Sequence, residues 1–191
     1  MSDFRDLIVR RRSVRRFKES EALSEETLRE FVDLARICSS AMNRQPLRYV
    51  LSVTPERNAI IFSHLSWAGD LPDWDGPGPG ERPTAYILVL ADNEVGGTPE
   101  YDAGIAVQTI MLAAAERGLG GCIMGSVDGE ALAPELEMPK RYTILLALAL
   151  GVPAEKVVLE DAAPDGNLRY WRDTEDVHHV PKLKLDDVIV G

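Results

Sequence analysis

Residues 85–91, Ala-Tyr-Ile-Leu-Val-Leu-Ala, form an unbroken apolar run. A strand with one wet face alternates polar and apolar side chains. A run this short and continuous therefore predicts a strand covered on both faces, and so a sheet that other elements must sandwich. Tyr142 to Leu150 reads the same way and ends at Gly151-Val152-Pro153. A shorter strand is expected from Arg48 to Val53, and Gly120 to Ser126 reads as a short strand opening into a glycine turn.

Helical spacing supplies the cover. Phe4, Leu7 and Ile8, following Asp3, predict a short amphipathic helix that runs into a group of arginines. Ser24 is a good N-cap before the acidic pair Glu25-Glu26, and Leu28, Phe31, Val32 and Ala35 mark the buried stripe of a second helix. A third is expected from Glu56 to about Leu65. The longest, Tyr101 to Arg117, is apolar most of the way round and is closed by Gly118. Asp128 caps a short helix that Pro134 disturbs, and hairpin-like strand signals follow at 168–171 and 177–180. The sum is one mixed α/β domain over residues 1–191 with a central sheet. Its one long interruption, at about 67–83, is rich in Gly and Pro and predicts a flexible, exposed excursion. Trp67 and Trp74 sit in it, either covering a ligand or stapling the loop to the body.

Charge narrows the function. The chain carries a formal net charge of −10, which argues against nucleic acid or an anionic membrane as partner. No apolar run is long enough to span a bilayer, and the first residues do not read as a signal peptide. With only Cys38 and Cys122, a disulfide framework is not expected and a cytoplasmic setting is. His64, His178 and His179 lack the spacing of a metal site; the last two read as part of a surface strand.

Against that acidic background, Arg10-Arg11-Arg12-Ser13-Val14-Arg15-Arg16-Phe17-Lys18 gathers six of the 21 lysines and arginines. Cations so dense either surround a compact anion such as a phosphate or form a solvated patch paired with nearby acids. No dinucleotide fingerprint, Walker loop or nucleophile elbow is present. The absence of a protein-borne catalytic constellation points to a bound cofactor or to a binding protein.

Four motifs then fall in order: R-R-R-S-V-R-R-F at 10–17, S-A-M-N-R-Q-P at 40–46, D-A-G-I-A-V-Q-T at 102–109 leading into G-L-G-G-C-I-M-G, and V-P-K-L-K at 180–184. Together they resemble the FMN-dependent nitroreductase family over almost the full chain. The resemblance implies an α+β fold, a three-layer α/β sandwich with a central, mainly antiparallel sheet flanked by helices. It also implies a homodimer with FMN at each of two interface sites. Arg11 would hold the FMN phosphate, with Arg12 and Ser13 on the phosphate or ribityl chain and Lys182 and Lys184 returning to the same phosphate. Arg15 would sit by N1 and O2 of the ring. Ser39, Ser40 and Asn43 would reach the flavin of the other subunit, and backbone N–H groups at Gly125 and Ser126 would face N5. The implied activity is hydride transfer from NAD(P)H to a nitroaromatic or quinone-like acceptor by a ping-pong mechanism, with Trp67 on the substrate side. The alternative is a flavin-binding protein of the same fold without nicotinamide turnover.

Overall fold

A computed structural model describes residues 4–191; Asp3, read as preceding the first helix, lies outside them. The elements in chain order are α1 (Phe4–Arg10), α2 (Glu25–Arg36), a 3-10 turn (Ala41–Asn43), β1 (Leu47–Ser52), α3 (Pro55–Ser63), β2 (Ala85–Asp92), α4 (Pro99–Glu116), β3 (Gly120–Met124), α5 (Gly129–Glu135), β4 (Tyr142–Gly151), β5 (Val157–Asp161), β6 (Trp171–Arg172), β7 (His178–Lys182) and α6 (Leu185–Val188).

The main sheet has the order β1-β2-β4-β3, and every neighbour pair in it is antiparallel. All eight residues of β2 are buried. Side-chain alternation deals them to two cores. Ile87 and Val89 join Leu28 and Phe31 of α2 and Ile110 of α4 on one face. Tyr86, Leu88 and Leu90 join Ile61 of α3 and Leu132 of α5 on the other. Three layers result. The expected caps are in place: the Ser24 hydroxyl accepts from the Thr27 amide, the Asp128 carboxylate accepts from the Ala131 amide, and Gly118 closes α4 at φ 74°.

At one end of the sheet the buried Asp92 carboxylate accepts from Arg141 through Nε at 2.6 Å and Nη2 at 2.7 Å, and pairs with Arg48 Nη2 at 3.0 Å. These arginines are structural clamps.

A second sheet, β5-β7-β6, was not expected as such; β5 runs parallel to β7, and β6 is antiparallel to it. Strand β5 is short and half exposed, so its sequence carries little periodic signal.

The stretch at 67–83 is irregular, as its prolines and glycines require; residues such as Gly69, Asp70, Asp73 and Gly78 are exposed, while part of it is stapled to the body. Trp67, Ala68, Pro77 and Pro83 are buried. The Trp67 ring packs edge-on against Trp74 with centroids 6.4 Å apart and lies 5.8 Å from Phe62. Gly76, at φ 119°, lets the chain pass over Trp67, where a Cβ would come within 2.6 Å of the indole. The Glu19 carboxylate accepts the Gly80 and Arg82 amides, and Arg16 and Arg172 lie over Trp74. Burial of Trp67 and half-burial of Trp74 fasten the loop to the body.

Candidate cofactor site

The arginine-bearing segment leaves α1 and lies along the outer edge of β3. Ser13 bridges to Gly121, and the Val14 amide donates to the Gly121 carbonyl at 2.9 Å. Val14 and Phe17 point into the core, with Phe17 fully buried. Glycines make this approach possible: a Cβ on Gly120 would meet Val14 at 2.8 Å, and one on Gly151 would meet Phe17 at 2.9 Å. With those two anchors fixed, Arg11, Arg12 and Arg15 are left half-buried above Cys122.

The nine-residue basic run divides by partner. Arg16 pairs with Glu81 at 3.5 Å and Asp176 at 3.3 Å, and Lys18 pairs with Glu21 at 3.1 Å. Among the described residues no carboxylate lies within ion-pair distance of the Arg11, Arg12 or Arg15 guanidinium. Arg12 Nη2 donates to the Ile8 carbonyl at 2.7 Å, while the Nε atoms of Arg11 and Arg12 are buried without any hydrogen-bond partner. Burial, reinforced by the Arg12 charge, pulls Arg11 below the ordinary guanidinium range, and burial does the same to Arg12. The Cys122 thiol is pushed up by burial, against the pull of Arg15 and Arg11. A buried donor without an acceptor costs about 1–3 kcal/mol, so adjacent cations in this state fit an anionic group with several acceptor oxygens. The phosphate of a mononucleotide is such a group.

Ser39, Ser40 and Asn43 lie elsewhere, in the turn before β1. The buried Asp102 carboxylate, in the first turn of α4, accepts from Ser40 Oγ at 2.5 Å and from the Ala41 amide at 3.1 Å. Ser40 Oγ also accepts from the Gln45 amide at 2.9 Å, so its hydroxyl is spent inside the chain. Met42, Asn43 and Gln45 all adopt left-handed backbone, at φ 52°, 55° and 50°. Strain of that kind persists only where surrounding contacts impose it, and it concentrates at functional loops. Ser39 and Asn43 are exposed.

This turn and the arginine segment flank opposite edges of the main sheet, β1 and β3. Three strand spacings, about 14 Å, lie between those edges. Gly125 and Ser126 follow directly on β3 and are exposed, with the Ser126 carbonyl accepting from the Ser66 amide.

Among the described residues, no hydrogen bond or ion pair ties Lys182 or Lys184 to the arginine cluster. Lys182 stands opposite Asp161 at the far end of β7, and Lys184 precedes α6. His178, which touches Arg15, opens the same strand, so Lys182 is about 13 Å further along it. Trp67, expected on the substrate side, is 8% exposed and packs as a staple in the core that holds Tyr86 and Leu88.

Two residues that the sequence reading passed over adjoin the cluster, Tyr170 and His178. The Tyr170 ring lies 4.7 Å from the Arg15 guanidinium carbon. His178 is fully buried rather than on a surface strand. Their only sequence signal was the strand alternation that sends His178 inward and His179 outward.

A sequence model of the nitroreductase family matches residues 8–66 and 82–152. The chain belongs to the nitroreductase family. Among solved structures, a protein described as a nitroreductase in complex with FMN, from Desulfovibrio desulfuricans, aligns with this family member at 28% identity. Its TM-score is 0.67, and the match covers 81% of this chain and 89% of that one. A nitroreductase family protein from Streptococcus pneumoniae gives a TM-score of 0.72 over 99% of this chain and 100% of its own, at 17% identity, a likeness of fold alone. A curated relative from Rhodospirillum rubrum, 5,6-dimethylbenzimidazole synthase, is 25% identical over 174 residues, with 76% of this chain and 80% of the relative covered. The interval missing from the family match, 67–81, falls within the irregular stretch at 67–83.

Proposed function

We propose that this nitroreductase-family chain is an FMN-dependent oxidoreductase passing hydride from NAD(P)H to a small nitroaromatic or quinone-like acceptor by a ping-pong route. The observation that carries the cofactor is that Arg11 and Arg12 lie half-buried side by side with no carboxylate among the described residues within ion-pair distance, in a chain of net charge −10. FMN brings the hydride-accepting and hydride-donating centre, so no side-chain nucleophile is required.

The protein's part is placement and charge. Arg11 and Arg12, with the Ser13 hydroxyl, hold the phosphate and ribityl chain. Arg15 presents a positive charge to the N1 and O2 side of the ring, which favours added negative charge there. Backbone N–H groups at Gly125 and Ser126 are proposed to face N5.

The separation between the β1 and β3 edges is what supports a two-copy site. In that arrangement a second copy would bring its Ser39–Asn43 turn to the arginines of the first. Phe4, Val9, Ile37, Met42 and Tyr101 are exposed apolar residues on α1, the end of α2, the following turn and the start of α4. They offer such a copy a face to cover. Ser39 and Asn43 would reach across, with Ser40 setting the turn. The roles proposed for Lys182 and Lys184 require the segment after β7 to meet an arginine cluster. Substituting both by Gln tests this: weaker FMN binding supports it, and unchanged affinity removes them from the site.

The test of the function is direct. Purified protein supplied with FMN should show a flavin spectrum, elute as a dimer, and oxidise NADH or NADPH steadily when a quinone is present. A yellow protein inert to both nicotinamides would sink the hydride-transfer reading. That outcome would favour the second reading, a specialised flavin role without nicotinamide turnover, which the biosynthetic name of the R. rubrum relative supports. A protein colourless after FMN addition would remove both.

A further inference from the structure

The small C-terminal sheet meets the arginine cluster through His178, whose Nε2 lies 3.3 Å from Arg15 Nη1. A guanidinium has only donors, so Nε2 accepts and the ring proton resides on Nδ1. Nδ1 is itself buried without a partner. The imidazole is thus placed for its contact with Arg15 at the expense of its other nitrogen. Burial, then the charge of Arg15, pushes His178 down to about 4, so it is neutral in any ordinary buffer. Tyr170 completes the grip. Its ring lies under the Arg15 guanidinium and 5.2 Å from the His178 ring.

The nearest acid, Glu155, is spent elsewhere. One of its carboxylate oxygens takes the backbone amides of Arg15 and Arg16, and the other pairs with Arg172 Nη2 at 3.0 Å. Arg15 is therefore held by two neutral groups, His178 and the Cys122 thiol, and an aromatic face, while Glu155 reaches its backbone amide and not its guanidinium. The same residue paired with a carboxylate would be equally fixed but electrostatically spent.

We propose that His178 and Tyr170 are positioning residues that hold the Arg15 guanidinium, uncompensated, toward the electron-accepting edge of the bound cofactor. The inference rests on the role assigned to Arg15 above. It explains why the tail after β4 folds back onto the N-terminal segment: the tail supplies the mount for a cation carried at the other end of the chain.

The test compares His178→Leu, which cannot accept a hydrogen bond, with His178→Gln, whose amide oxygen can replace Nε2. The readout is the ratio of affinities for oxidised and reduced FMN in the holoprotein. In His178→Leu, reduced FMN should lose about tenfold relative to oxidised FMN, about 30 mV in a two-electron couple, while His178→Gln stays within about twofold of the parent. Tyr170→Leu should shift the ratio in the same direction and carries the test if His178→Leu does not fold. A loss of structure alone would move both FMN forms together and would not be rescued by Gln. An unchanged ratio in the Leu variants, with Arg15→Gln shifting it, overturns the positioning role and leaves the function standing. An unchanged ratio in Arg15→Gln as well overturns the role of Arg15 itself.

Discussion

Two groups of arginines in this protein meet opposite fates. Arg141 and Arg48 converge on the Asp92 carboxylate, whose side chain is fully buried and doubly engaged by Arg141. Arg11 stands beside Arg12, and Arg11 and Arg15 lie near the buried Cys122 thiol, with no carboxylate among the described residues within ion-pair distance of the three guanidinium groups. In the first group, hydrogen bonds from Arg141 hold the Asp92 carboxyl below the usual carboxylate range and raise Arg141 in return, so fold and charge stabilise each other. In the second group, burial lowers Arg11 and Arg12, so the fold works against their charge. A paired cation explains itself by stability. An unpaired, half-buried one needs a ligand.

The largest effect should come from breaking the paired group. Arg141→Leu leaves Asp92 with Arg48 alone and should lower the melting temperature by roughly 10 °C. A shift within error would mean that Asp92 is not the anchor its geometry describes. Its depressed carboxyl also fixes a sign: this stabilisation is complete above the ordinary Asp value and is lost as pH falls through the folded one.

The reverse pattern should hold for the unpaired group. Arg11→Ala should weaken FMN binding by about 10- to 100-fold, the worth of a lost charge-assisted contact, while apoprotein stability stays level or rises. Equal loss of stability and affinity would erase the distinction between the groups. A smaller effect sharpens it further. FMN affinity should fall several-fold, on the order of one Debye screening step, between low and physiological salt, and the dependence should be shallower in Arg11→Ala. The Asp92 cluster, being buried, should leave the melting temperature nearly insensitive to the same change.

The smallest effect concerns a third cation, His179, which has two acids at once. Its Nδ1 lies 3.0 Å from Glu160 and its Nε2 3.2 Å from Asp173, and its ring stacks on Trp171 at 4.1 Å. Both nitrogens facing carboxylates requires the imidazolium, and the Asp173 contact, then that of Glu160, raises its affinity for the proton. The resulting stability is complete below the ordinary imidazole value and is lost as pH rises through the raised one. Amide exchange along β7 should accelerate modestly over that interval, and His179→Gln should remove the dependence. A flat profile in the parent would show that the clamp adds nothing.

Much of this protein could be read without coordinates. The doubly buried strand, the capped helices and the Gly118 stop follow from side-chain chemistry acting over a few residues. Strand direction did not, since an apolar run like residues 85–91 suits parallel and antiparallel neighbours alike; pairing with β1 and β4 decided it. Composition made the 67–83 stretch irregular but could not choose between the two roles open to Trp67 and Trp74; the stapling contacts with Phe62, Arg16 and Arg172 decided it. The pairing of His178 with Arg15 joins residues 163 positions apart, and no periodicity carries that information. Sequence alone determined which cations are crowded together. Tertiary structure decided which of them keep an unspent charge, because neutralisation depends on which carboxylates the fold brings within reach.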